Sequence, residues 1–471
     1  MTTLMSKLAR SAAVAAVAVA LSPAAATAQQ MTLMDVLETT IDTSPDLRVQ
    51  RFTLRGLDES VASARSGKRP TITGSASTGG TYSNNSEQAT DVERLQFPST
   101  VSVAVSQSIY DGGQTRNAVR EALSNVESGR FDLLSSQQSV LLQSVGAYVD
   151  VIQAQQNVEI AEKSVAVIAE QLEAANARFE VGEVTRTDVA QAEAALAEAW
   201  ANLATQQGLL GQARAAFIRD VGVAPDRLAP LDTLPIDLPG TLDEGLEIAG
   251  SSHPDILAAQ ASVKAASFNV RQAIGATLPQ LDFNTSVSVS NGTIGRDSEA
   301  LTHSFSLNGS VPFYVGGSLR ASVRAAQAAA AAERARLGVT TRVILEQVGI
   351  AWANFVSSQA TLKATVAQRE AEQVAFEGVR EEAKVGARTT LEVLEAEEDL
   401  LEARLAVVSS AASVQLNAYS LLSAVGKLTV ESRRLAVAEP YDPEPLFESS
   451  QGLLRGYDDT EDTEWLGNFR P

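Results

Sequence analysis

No proline occurs between Pro98 and Pro225, or between Pro312 and Pro440. Proline breaks a helix by removing an amide donor and clashing with the preceding turn, so these two stretches can stay helical far beyond the usual three or four turns. Their apolar residues keep a regular spacing. Val158, Ala161, Val165, Ile168, Leu172, Ala175 and Phe179 form one stripe. Val189, Ala192, Leu196, Ala199 and Leu203 form a second, and Val393, Ala396, Leu400, Ala403 and Val407 a third. Alternating steps of three and four specify a coiled-coil seam. Val181-Gly182 and Val385-Gly386 each interrupt one block. Glycine just past a helix end suits a C-cap and a tight reversal. Each block therefore reads as a long helix, a turn and a shorter helix returning beside it. The long arm, from about residue 113 to 181, would run ~100 Å at about 1.5 Å per residue.

The two blocks belong to a tandem duplication. TSPDLRVQ at 43–50 returns as SHPDILAA at 252–259, and KRPTITGSAS at 68–77 as TLPQLDFNTS at 277–286, both 209 residues on. After the strands the offset is 204: IYDGG at 109–113 matches FYVGG at 313–317, and RFEVGEVTRTDVAQAEAAL at 178–196 matches EAKVGARTTLEVLEAEEDL at 382–400. A repeat of about 200 residues is far longer than a solenoid unit. The expected organisation is a signal peptide at 1–28, repeat one at 29–224, a proline-marked linker at 225–240, repeat two at 241–430 and an acidic flexible tail at 431–471. The signal reading rests on Lys7 and Arg10, the apolar run 11–21 and Ala26-Thr27-Ala28. The alternative is an N-terminal membrane anchor, which the short run disfavours.

Four stretches alternate like strands: 71–78, 100–110, 281–290 and 301–313. In LDFNTSVSVS, Leu281, Phe283, Thr285, Val287 and Val289 share one side, and polar residues the other. The last strand carries Leu301, Phe305, Leu307, Val311 and Phe313 on one face. Polar, loop-like segments join each pair into a hairpin. The apolar faces need a partner. Four strands make a poor sandwich, and the coiled coils leave no obvious helix face spare. Lipid remains: a membrane strand needs about 9–11 alternating residues. Open edges are forbidden in lipid, and known barrels have at least eight strands, so several copies must share one barrel. Three copies give twelve strands. No later segment reaches 18 uninterrupted apolar residues, so no transmembrane helix is expected after the signal.

Composition narrows the rest. The net charge is −20, or about −22 once Lys7 and Arg10 leave with the signal; this argues against nucleic acid and anionic membrane surfaces. The chain has no cysteine, hence no disulfide and no lipid-carrying thiol. His253 and His303 lie far apart in the repeats and have no companion ligands. No P-loop, Rossmann or nucleophile-elbow motif occurs. Neither an enzyme nor a cofactor is expected.

The duplicated order of strands, YxGG junction, long helix, Val-Gly turn and returning helix resembles the TolC family of outer-membrane efflux and secretion channels. VGEVTRTDV and VGARTTLEVLEAE carry the resemblance most specifically. It implies a mainly α fold with a small β part: a homotrimer whose twelve-strand outer-membrane barrel, four strands per chain, continues into a coiled-coil periplasmic tunnel. It also implies work with a periplasmic adaptor (membrane fusion) protein and an inner-membrane transporter of RND or ABC type, in an efflux pump or type I secretion system. The missing cysteine departs from the lipid-anchored branch of that family. The alternative is a periplasmic coiled-coil adaptor or scaffold with no channel of its own, although such a protein does not need two copies of the strands.

Candidate residues follow. Val181, Gly182, Val385 and Gly386 lie about 60–70 residues from the strand junctions and are the expected entrance and docking turns. Glu392 and Glu395 share a helix face. In three chains they would stack as carboxylate rings favouring cations; the alternative is a solvated helix start. The resemblance places Arg388 in a periplasmic gate with Thr187 and Asp188 as partners, whereas capping by Thr187 and Asp188 is the competing reading. The family's tyrosine five residues before that arginine is Ala383 here. At the strand-to-helix junctions, Tyr110 and Tyr314 sit either at the membrane interface or in a packed elbow relieved by Gly112, Gly113, Gly316 and Gly317.

Overall fold

The structure, a computed structural model, describes residues 30–85, 92–230, 234–235, 237–291, 299–433 and 435. The signal region, the two strand-hairpin tips, part of the linker and the tail beyond residue 435 lie outside the described residues.

Each copy contributes a short helix pair, strands, one very long helix and a returning helix. In copy one these are α1 (Leu33–Thr43), α2 (Pro45–Ser66), β1 (Thr71–Thr78), β2 (Thr81–Asn85), β3 (Val92–Gln96), β4 (Ser99–Tyr110), α3 (Gln114–Glu180) and α4 (Arg186–Val221). In copy two they are α5 (Leu242–Ser252), α6 (Pro254–Gly275), β5 (Gln280–Asn291), β6 (Glu299–Ser310), α7 (Ser318–Lys384) and α8 (Thr390–Ala424), followed by the turn-long α9 (Val430–Arg433). Pro45 and Pro254 occupy first-turn positions, where no amide donor is needed. Ser44 caps α2. His253, 5% exposed, caps α6 through Nδ1, which accepts from the Asp255 amide at 3.2 Å.

The long helices are held by pairing, not by propensity alone. α3 packs along α4 and α7 along α8, and α3 also touches α2, α6 and α8. The stripes are the seams. Ala161, Val165, Ala175, Val189, Ala192, Ala199 and Leu203 are buried in the first hairpin, and Val393, Leu400 and Ala403 in the second. Phe179 departs from its stripe and is 45% exposed, so the seam frays one turn before the reversal. Where the helix pairs meet the linker, Leu37, Leu47, Val145, Tyr148, Phe217, Leu422 and Leu428 form the largest core. The buried Tyr148 hydroxyl donates to Ala229 O at 2.5 Å, and burial pushes its phenol up to about 12. By length and composition α8 could cross a bilayer. Uninterrupted apolar runs do not reveal this property; here α8 instead lies along α7 and α3.

The four-stranded sheet has the order β1-β4-β5-β6, antiparallel throughout, so β4 and β5 join the copies. Its register repeats the sequence offsets: Thr71 faces Ser106 in copy one and Gln280 faces Ser310 in copy two. Rows therefore run across all four strands. Ala76, Val101, Val289 and Leu301 form one apolar row, and Ser75, Ser102, Ser288 and Thr302 a polar one on the other face. The apolar face is open: Ile72 is 70% exposed, Leu301 65% and Phe305 83%.

Two expectations are corrected. The segment read as a polar loop, TYSNNSEQATDVE, contains a β2–β3 ribbon running from the Thr81–Gln96 pair to the Asn85–Val92 pair. Backbone bonds hold such a ribbon, and hydrophobic patterning does not reveal them. The last strand ends at Ser310, not 313. Pro312 has no amide to offer a ladder, and Val311 and Phe313 lie beyond the strand.

Candidate functional site: two equivalent helical turns

Both reversals are built alike. Gly182 and Gly386 adopt φ +82° and +79°, a left-handed conformation that glycine adopts without strain. Glu183 N donates to Arg178 O at 2.9 Å, and Ala387 N to Glu382 O at 2.9 Å, closing the end of each long helix. The returning helix then starts with a capping box. In the first turn the Thr185 amide and hydroxyl both donate to Asp188 Oδ2 at 2.8 Å, and Asp188 N donates back to Thr185 Oγ1. In the second, Thr389 and Glu392 repeat the arrangement at 2.8–2.9 Å. Thr185, not Thr187, is therefore the cap; Thr187 is exposed on the first turn of α4.

The turns differ in charge. Arg388 stands where the first copy has Val184. Its Nε donates to Glu382 Oε2 and its Nη1 to Glu392 Oε1, each at 2.8 Å. Within one chain, then, the structure joins Arg388 to Glu382 and Glu392, and Asp188 to Thr185. The Thr389 amide, Arg388 and the Thr389 hydroxyl together draw the Glu392 carboxyl down to about 2. Hydrogen bonds from Thr185 likewise hold Asp188 below the usual carboxylate range. Glu395 is exposed one turn further along α8. It borders a groove of about 380 Å³ between α3, α4 and α8, with Ser164, Ile168, Glu198, Leu394 and Glu398. The turn valines are open: Val181 is 73% exposed and Val385 81%. Among the described residues no cluster has the makings of a metal site.

The YxGG junctions share a backbone but not their surroundings. Gly112, Gly113, Gly316 and Gly317 all have φ between +64° and +84°. In the first, Asp111 accepts from Gly113 N at 2.9 Å and Thr115 N at 2.6 Å. A Cβ on Gly112 would meet Gly275 O at 2.3 Å, so α6 sits directly against this turn. In the second, Val315 replaces the acid and nothing lies within 4 Å of a Cβ on Gly316. Tyr110 and Tyr314 are 48% and 84% exposed; the glycines make both elbows, and Asp111 adds its bonds only in the first.

Motif reading missed one residue. Glu397 and Glu398 are adjacent in sequence and point apart on α8: Glu398 is exposed and Glu397 is buried. The signal was spacing, because Glu397 falls four residues after Val393 and three before Leu400, on an apolar stripe.

Comparison with known proteins agrees with this geometry. The outer membrane efflux protein family matches residues 36–223 and 246–427, one segment in each copy. Outer membrane efflux protein BepC of Brucella suis biovar 1 is 36% identical over 419 residues, covering 89% of this chain and 90% of that one. Outer membrane protein TolC of Escherichia coli is 25% identical, with 88% and 85% covered. The solved outer membrane channel CmeC of Campylobacter jejuni superposes with a TM-score of 0.76 at 16% identity, over 89% of each chain. The chain belongs to the outer membrane efflux protein family.

Proposed function

We propose that three copies of this chain close one barrel in the outer membrane and one helical tunnel beneath it, and that cargo leaves through this duct without chemical change. One observation carries the reading. The four-stranded sheet has an uncovered apolar face and two unpaired edges, β1 and β6, and it stands on hairpins ~100 Å long. In lipid such edges must be satisfied by another strand. The link between copies, with β4 beside β5 and α3 beside α6, supplies a template: β6 and α7 would meet β1 and α2 of the next chain in the same way. The open space at Gly316 fits a neighbour seated there.

The Val181-Gly182 and Val385-Gly386 turns are the entrance, where an adaptor and an RND- or ABC-type transporter would dock to deliver small molecules or proteins. Arg388 with Thr187 and Asp188 of an adjacent hairpin would hold the entrance narrow, trading its bonds to Glu382 and Glu392 for contacts between hairpins. Glu395 supplies the less compensated carboxylate ring, since Glu392 already faces Arg388. The test is reconstitution. Outer-membrane fractionation, a heat-sensitive trimer on a gel and discrete conductance steps in planar bilayers are expected. A soluble periplasmic monomer that forms no pores would favour the scaffold reading.

A further inference from the structure

Glu397 on α8 is 1% exposed, and neither of its carboxylate oxygens has a hydrogen-bond partner. A buried carboxylate left without partners is strongly unfavourable, so such a group keeps its proton or forces its surroundings open. Its polar neighbours come from each packed helix. α3 presents Ser164, 2% exposed, whose hydroxyl approaches without completing a bond of normal geometry. α7 presents Arg380, already paired with Glu170 at 3.7 Å. α8 presents Arg404, which donates to Gln373 Oε1 at 2.8 Å. α4 brings Glu198 to the groove that Ser164 borders, where Glu395 and Glu398 add further negative charge. Neither guanidinium donates a hydrogen bond to Glu397, so each lowers its carboxyl only through space. Burial outweighs the two guanidiniums and pushes its carboxyl up to about 7.

The position matters more than the titration. α8 belongs to the second hairpin and Ser164 to the first, and the α3–α8 contact is the main one joining the two. We infer that Glu397 is a proton-controlled tie between the hairpins: neutral, it lets α8 lie against α3; ionised, it favours their separation. This rests on the reading that the tunnel entrance widens when hairpins move apart. The sign follows from linkage. Below the ordinary glutamate value of 4.5 both arrangements hold the proton, and pH has no effect. Between 4.5 and about 7 the packed arrangement binds the extra proton, so its advantage falls as pH rises. Above about 7 the loss is complete. Over that interval the ratio of packed to separated hairpins should fall on the order of a hundredfold.

The chain has no cysteine, so spin labels at Ala169→Cys on α3 and Leu391→Cys on α8 would be unique in each subunit. Distances between them, measured by pulsed electron resonance on the full-length protein from pH 5 to 8.5, should shift from a short to a longer population as pH rises. Glu397→Gln should hold the short population at every pH, and Glu247→Gln, an exposed acid on the remote α5, should behave as the parent. A distance distribution independent of pH in the parent, or an unchanged response in Glu397→Gln, overturns the inference. Should Glu397→Gln fold poorly, Glu397→Leu gives the same reading with a permanently neutral side chain. These distances do not depend on conductance, so failure to form pores would count against the channel reading and leave the tie to be judged separately.

Discussion

Two glutamates at equivalent places in the repeat have opposite fates. Glu193 in α4 is exposed, whereas Glu397 in α8 is buried against α3. The turns below them diverge in the same way: the first has a capping box alone, the second a capping box plus an arginine bridging two acids. So do the junctions above, where Gly112 is pressed against Gly275 and Gly316 faces open space. The duplicated sequence supplies the same elements twice, but a single chain supplies a neighbour to only one side of each. At the junctions copy one finds its partner within the chain and copy two presents the matching surface outward; at the glutamates the order reverses, with α8 of copy two covered by α3 and α4 of copy one left open.

The junctions offer the largest contrast to break. Gly112→Ala meets both a left-handed backbone and a carbonyl at 2.3 Å, and should cost roughly 3 kcal/mol or more. Gly316→Ala meets only the backbone strain, roughly 1–2 kcal/mol. Thermal unfolding of the dissociated chain should show this gap. In the assembled protein Gly316→Ala should also lower the temperature at which the trimer dissociates on a gel, because a neighbour then occupies its open side.

The turns come next. Thr185→Ala and Thr389→Ala each remove a cap, worth about 1 kcal/mol of local helix stability. Amide exchange at the start of α4 and α8 should quicken in both. The effect should reach further in Thr389→Ala, because Glu392 loses the bonds that fix it for Arg388. Arg388→Ala is the smallest change in stability, since its ion pairs are exposed, and melting should barely move. Combined with Asp188→Ala it should nonetheless raise single-channel conductance in planar bilayers. An unchanged conductance would leave Arg388 as a local clasp of its own turn.

Much of this architecture was legible in the residues. Proline-free blocks and 3,4 stripes mark the hairpins because a seam needs that period, and alternation marks the strands because a sheet with one greasy face needs the other. The β2–β3 ribbon was not legible, since its bonds are backbone bonds. Nor was the end of the last strand at Ser310, where a proline outweighs a continuing apolar pattern. At the turns the residues marked the right segments but not the partners that each side chain takes within the chain. Thr185 takes the cap because it, not Thr187, stands three residues before Asp188. Arg388 finds Glu382 across the reversal, a contact set by the fold of the turn. Glu397 was hidden because an acid on an apolar stripe looks like an interruption until a third helix covers it.

The central claim is that β6 of one chain pairs with β1 of the next. Carrying the β4–β5 register across by the repeat offsets places Ser310 opposite Ser75 of the partner subunit. In a chain without cysteine, Ser75→Cys with Ser310→Cys should give, on oxidation in outer membranes, covalent species of two and three chains and nothing larger. Each single variant should stay monomeric on a denaturing gel. A double variant that remains monomeric, while the protein is folded and in the membrane, would contradict the shared barrel.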